Sequence, residues 1–141
     1  MSGPVSAQAI HVGSDLDIVR IRKVVREHAV AAGLSLVDQT KLVTAASELA
    51  RNTLVHGGGG EVTVSTEGDE RGTTIRLVFA DRGPGIDDVD KALTDGFTTN
   101  SALGLGLGGA RRLVHEFHID TEPGRGTTVR IGFHAPNRRG R

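Results

Sequence analysis

Cysteine is absent from the 141 residues, which excludes disulfides, thiolate metal sites and a cysteine nucleophile. Trp and Tyr are absent too, and four Phe are the whole aromatic complement. The core is therefore expected from Val, Leu, Ile and Ala, with Phe79, Phe97, Phe117 and Phe133 as its largest members. An excess of one charge is also missing: 17 Lys and Arg balance 17 Asp and Glu. That balance argues against nucleic acid as a partner, and leaves Arg138, Arg139 and Arg141 as a small basic cluster. No apolar run approaches the ~20 residues of a membrane span, and the first residues lack a basic-then-apolar targeting pattern. The expectation is a soluble, cytoplasmic domain that uses neither nucleic acid nor membrane.

Length and patterning give one domain. Residues 1–7 are expected to be a disordered N-terminus, 8–134 the folded domain and 135–141 a basic, flexible tail. Gln8 to Val12 suits a short edge strand. Ser14 and Ser35 each stand as an N-cap with an Asp three residues on, before apolar residues at helical spacing. The first helix is expected to stop at Gly33 and the second near His56, where Gly57 to Gly60 serve as cap and connector. His28, with no acidic neighbour in sequence, reads as a packing or surface histidine. Residues 61–66 and 74–80 alternate at period two around a polar turn over 67–72. A short helix over 87–93, a longer one from Gly106 to about Phe117, and strands at 117–120 and 127–133 complete the order β-α-α-β-β-α-α-β-β. Hairpin-joined strands with grouped helices predict an α+β two-layer sandwich, a mixed sheet with its helices on one face.

Chemistry-bearing residues gather in four stretches. Glu48, Asn52 and His56 recur every fourth residue, so they share one ridge of the second helix, about 40° apart at each step. Asn52 can offer an oxygen to Mg²⁺, and Glu48 can take a proton or orient a nucleophile. The same spacing also suits a solvated polar stripe. Asp81 stands where a strand runs into Gly83-Pro84-Gly85. Its carboxylate can accept from an exocyclic amino group, or simply bond its own turn. Ser101 to Gly109 forms a glycine-rich run that opens a helix, a suitable cradle for phosphate. Its candidate contacts are the amides of Gly104, Leu105, Gly106, Leu107 and Gly108, with the hydroxyls of Ser101 and Thr98 beside them. It fits neither the dinucleotide fingerprint nor a Walker A loop, since no Lys-Ser/Thr follows. Thr127 follows Gly124 and Gly126 at the start of the last long strand.

The ordered set resembles the ATP-binding fold shared by histidine kinases, DNA gyrase, the Hsp90 chaperone and the MutL mismatch-repair protein, the Bergerat or GHKL fold. The resemblance covers residues 10 to 133 or so. It implies ATP and Mg²⁺ as cofactors, with Glu48 as catalytic base, Asn52 as metal ligand, Asp81 as adenine reader beside Gly83 and Gly85, Gly104 to Gly108 as phosphate lid, and Thr127 as a second adenine-side contact. SELARN at 47–52, DRGPGI at 81–86 and DGFTT at 95–99 are similar to the bacterial anti-sigma-factor serine kinases, and most of all to the switch-kinase branch of the stressosome pathway. That branch implies phosphorylation of a STAS-domain protein and activation of a PP2C-type phosphatase, and does not require a stable homodimer. The anti-sigma branch implies direct binding of a sigma factor and a homodimer. Gly108 stands where the switch-kinase lid is expected to carry proline.

Overall fold

The computed structural model describes residues 6–93 and 106–136. The elements are β1 (Ser6–Val12), α1 (Asp15–Ala31), α2 (Leu36–Val55), β2 (Gly60–Asp69), β3 (Gly72–Asp81), α3 (Val89–Ala92), α4 (Gly106–Arg112), β4 (Glu116–Glu122) and β5 (Gly126–Pro136). The expected order of elements is therefore observed, and the sandwich forms as read. The strands lie in one sheet in the order β1-β2-β3-β5-β4, and each of the four pairings is antiparallel.

Both long helices start as their sequences dictate. The Ser14 hydroxyl accepts the Asp17 amide, and the Ser35 hydroxyl accepts the Asp38 amide. Each cap satisfies one of the amides that an α-helix leaves without an internal acceptor. Ile18, Ile21, Val25 and Ala29 form the buried stripe of α1, and Leu42, Ala45, Ala46 and Leu49 that of α2. They cover a sheet face built from Val62, Val64, Ile75, Leu77, Phe79, Val129, Ile131 and Phe133, all buried at alternate positions along their strands. Period two puts the intervening side chains on the opposite face. There Arg76 pairs with Glu67 and Glu116, and Arg130 pairs with Asp120, all partly exposed. One face is dry and one is charged, so the register cannot slip without burying those charges.

Several boundaries differ from the reading of the sequence: β1 already begins at Ser6, inside the stretch expected to be disordered, β5 runs on to Pro136, into the stretch expected to be a tail, and two further differences have a clear cause. The β2–β3 hairpin is tighter than the polar stretch 67–72 suggested: Asp69 pairs directly with Gly72, leaving a two-residue turn. The Asp69 carboxylate accepts the amides of Arg71 and Gly72 at 2.8 and 3.2 Å, which lets the strands run to the tip. α4 ends at Arg112, not near Phe117. The Leu113 amide closes a turn on Ala110, and the His115 amide already bonds the Gly132 carbonyl. Sheet pairing has captured the backbone that a longer helix would need.

His28 takes the structural role expected of it. Its ring bridges α1 to the sheet edge, through Thr66 at Nδ1 and Gln8 at Nε2. Among the described residues, no helix is long and apolar enough to cross a membrane.

Candidate nucleotide site

Antiparallel pairing of β3 with β5 brings the last residue of β3 and the first residues of β5 to the same end of the sheet, with Ala80 opposite Thr128. The C-terminal half of α2 and the start of α4 close over that end. Between them lies a cavity of 240 Å³. Its body is apolar, with Leu49, Phe79, Ile86, Leu107 and Val129. Its polar groups are few: Asp81 and Thr127 on the sheet side, and Asn52, His56 and Thr53 on α2, the last with its hydroxyl spent on the Leu49 carbonyl. An apolar slot with a small number of placed polar groups is the usual form of a small-molecule site.

Asp81 is fixed through one oxygen. Its Oδ1 accepts the Gly83 amide at 2.9 Å and the Thr127 amide at 3.2 Å. Oδ2 has no hydrogen-bond partner among the described residues, although Asp81 lines the cavity. A carboxylate anchored on one side and open on the other is an acceptor waiting for a donor. The glycines around it are sterically required. A Cβ on Gly126, where φ is +121°, would stand 2.2 Å from the Asp81 carbonyl oxygen, and one on Gly85, where φ is +79°, 2.5 Å from that of Glu122. Gly57, which the sequence offered only as part of a connector, touches the site as well. A Cβ there would lie 2.5 Å from Asp81 Oδ2, so a side chain at 57 would occupy the space in front of that oxygen. Nothing in the GGGG run marked its first glycine out from the other three.

On α2, the ridge is not a solvated stripe. Glu48 is 5% exposed, and its Oε1 accepts the Gly106 amide at 3.2 Å. Ionised carboxylates are rarely buried without hydrogen bonds, and this bond ties α2 to the start of α4. Glu48 Oε2 has no partner among the described residues. Asn52, one turn on, faces the cavity from a half-buried position, and exposed His56 sits at its rim. The Gly106 amide, expected among the phosphate contacts, is thus held by a carboxylate here. Gly106, Leu107 and Gly108 are all buried in α4. Thr98, Ser101, Gly104 and Leu105 lie outside the described residues.

Thr121 is a residue that the sequence reading passed over. It faces Thr127 across the β4–β5 pairing, and its hydroxyl accepts the Ile86 amide at 2.9 Å. It joins the loop after β3 to the start of β5. Only the register of the hairpin makes that pairing visible.

The donor set fits the cofactors implied by the sequence. Asp81 Oδ2 and the apolar slot suit an amino-bearing flat ring. Among the described residues no group of three or more His, Cys, Asp or Glu could hold a metal ion. Mg²⁺ in nucleotide sites takes only one or two protein ligands beside phosphates and water, which Asn52 can supply.

Comparison with known proteins agrees with this geometry. Residues 37–137 match the family of histidine kinase-, DNA gyrase B- and HSP90-like ATPases. The serine/threonine-protein kinase RsbT of Bacillus subtilis is 37% identical over 120 residues, covering 85% of this chain and 90% of its own. An anti-sigma F factor of a Thermoanaerobacter species is 29% identical over 114 residues, covering 78% and 80%. The crystal structure of the RsbU and RsbW domains of a Mycobacterium tuberculosis protein superposes with a TM-score of 0.62 at 21% identity. That match takes in 94% of this chain but only 32% of the other, and shows the shared fold. The chain belongs to the histidine kinase-, gyrase B- and HSP90-like ATPases, as a GHKL-type kinase domain related to the serine/threonine-protein kinase RsbT and to anti-sigma F factors.

Proposed function

We propose that this domain is an ATP-dependent protein serine/threonine kinase of the anti-sigma-factor type, which binds a sigma factor and phosphorylates a small STAS-domain antagonist. The observation that carries the kinase reading is Glu48: a buried carboxylate, held through one oxygen by the Gly106 amide, with no partner for its second oxygen among the described residues and Asn52 one turn away at the cavity. A group so placed can take the proton of an incoming hydroxyl without first being desolvated. Asp81 and Thr127 would hold the adenine, and Asn52 would hold Mg²⁺ together with the nucleotide's phosphates. The metal, when bound, supplies neutralisation of phosphate charge. What the protein adds is position: β3 and β5 fix the base, and α2 sets Asn52 and Glu48 at a constant spacing beyond it.

Several anti-sigma F factors among the relatives, together with the RsbW-domain fold match, support the sigma-binding specialisation. A second reading is the RsbT type, which phosphorylates a STAS protein and then activates a PP2C-type phosphatase. The 37% identity to RsbT over 90% of its length favours it.

The test is transfer of the γ-phosphate from Mg-ATP to a purified STAS-domain protein. We expect transfer by the wild type, reduced roughly 10²–10⁴-fold in Glu48→Gln with nucleotide affinity kept within a few-fold. Nucleotide binding without transfer to any STAS protein would remove the kinase reading. Capture of a purified sigma factor or of a purified PP2C-type phosphatase then separates the two specialisations.

A further inference from the structure

Thr121 lies behind the cavity wall and makes three contacts through one hydroxyl. It accepts the Ile86 amide at 2.9 Å, sits 2.9 Å from Thr127 Oγ1 and 3.3 Å from the Gly126 carbonyl oxygen. A hydroxyl has one proton to give. If Thr121 gave it to Gly126, Thr127 would have to donate back to Thr121 and would offer only lone pairs to the cavity. If Thr121 gives it to Thr127, the Thr127 proton is released to donate to a ligand. Hydroxyl-to-oxygen bonds are normally 2.5–3.0 Å long. The 2.9 Å contact to Thr127 falls in that range and the 3.3 Å contact to Gly126 does not.

We propose that Thr121 is a positioning residue for base selection: it points its proton at Thr127 and so makes Thr127 a donor toward the cavity, beside the Asp81 acceptor. The inference rests on the ATP-site reading above and goes beyond it, because it names the residue that sets the polarity of the second base contact. Adenine offers an exocyclic amino donor and, next to it, a ring-nitrogen acceptor. Hypoxanthine and guanine reverse both, with a carbonyl oxygen and a ring N–H. Asp81 Oδ2 and a donating Thr127 match the first pattern and oppose the second. The Thr127 amide is itself bonded to Asp81 Oδ1 at 3.2 Å, so the two readers are fixed to each other. The bond from Ile86 holds the neighbouring wall in register with them.

The experiment compares three nucleotides on the full chain by titration calorimetry: Mg-ATP, Mg-ITP and the magnesium complex of purine riboside triphosphate. The last keeps the ring acceptor but lacks the amino group. In Thr121→Val, Thr127 keeps its own proton but loses the partner that orients it, so we expect affinity for ATP and for purine riboside triphosphate each to fall about threefold, the cost of one hydroxyl rotor freed among three staggered positions, with ITP unchanged or tighter, since Thr127 can then turn a lone pair to the ring N–H. The preference for ATP over ITP then narrows by at least that factor, and Thr121→Ser restores it. Equal losses for all three nucleotides, an unchanged ATP-to-ITP ratio, or no rescue by Ser would overturn the proposal, since a purely structural residue would behave so. Should Thr121→Val fail to fold by thermal melting, Thr121→Cys carries the same comparison with a thiol, a poor hydrogen-bond partner. Failure of the wild type to bind ATP would overturn the ATP-site reading and this proposal with it. Binding by the wild type with uniform losses in the variant would overturn this proposal alone.

Discussion

Replacing Asp81 by Asn separates what this residue does for the fold from what it does for a ligand. Asp81 Oδ1 accepts two backbone amides, from Gly83 at 2.9 Å and Thr127 at 3.2 Å, while Oδ2 has no partner among the described residues. An Asn side chain can keep both amide bonds by placing its carbonyl oxygen where Oδ1 was. The NH₂ group then stands where Oδ2 was and would face the amino group of an adenine bound as proposed, donor against donor. The lost interaction is a hydrogen bond to a charged group, worth about 1.5–3 kcal/mol, or roughly 10- to 150-fold in affinity. Fold stability should change little, because the two amides stay satisfied. Asp81→Ala removes their acceptor too, and should lose ATP binding and also about 1–3 kcal/mol of stability. Calorimetric titration with Mg-ATP and urea unfolding of both variants measure the two quantities independently. ITP should bind Asp81→Asn better, relative to ATP, than it binds the wild type, since its carbonyl oxygen can accept from the new NH₂. ATP affinity within twofold of wild type in Asp81→Asn would refute the reasoning, as would an Asn variant as unstable as the Ala one.

Gly126→Ala should cost at least about 2 kcal/mol in urea unfolding, because φ is +121° there and the new methyl would stand 2.2 Å from the Asp81 carbonyl oxygen. Of the two helix caps, Ser35→Ala should cost about 1 kcal/mol and Ser14→Ala less, since the Ser35 bond is 3.1 Å and the Ser14 bond 3.4 Å; equal losses by thermal melting would count against that ranking. His28 has its pKa pushed below the usual 6.5, first by burial, with Glu27 opposing. A base with a depressed folded-state pKa favours its neutral form in the fold. Its contribution is therefore complete above pH 6.5 and declines as pH falls through the lower folded-state value. His28→Gln should make the pH dependence of the melting temperature shallower on that acid side. Glu116 has its pKa lowered from 4.5 chiefly by its hydrogen bond from Arg76, so its contribution is present above pH 4.5 and lost on further acidification. Both partners are over a third exposed, so the Glu116→Gln effect should be small and should shrink further in high salt.

Much of this was legible in the residues because it is local. The two Ser-x-x-Asp caps, the helical spacing of Ile18, Ile21, Val25 and Ala29, and the alternation in β2 and β3 depend on neighbours within a few positions, so sequence order carries them. Glu48, Asn52 and Asp81 could be singled out for the same reason: helix pitch fixes the first pair, and a strand end followed by Gly-Pro-Gly marks the third. The spacing of Glu48 and Asn52 by itself suits a solvated stripe better than a site, and only packing against α4 puts Glu48 at 5% exposure with the Gly106 amide on it. Leu113 and Val114 continue an apolar pattern and so predict a longer last helix, while the competing partner, the Gly132 carbonyl, is 17 residues further along the chain from His115. Gly57 against Asp81, and Thr121 against Ile86 and Thr127, are contacts across 24, 35 and 6 positions, set by strand register and loop closure. Short-range preferences thus determined the elements and the residue types at the site. Which oxygen of Asp81 is occupied, which glycine must have no side chain, and which hydroxyl stands behind Thr127 were decided by tertiary structure, because each is a meeting of groups that the chain brings together only when the sheet pairs.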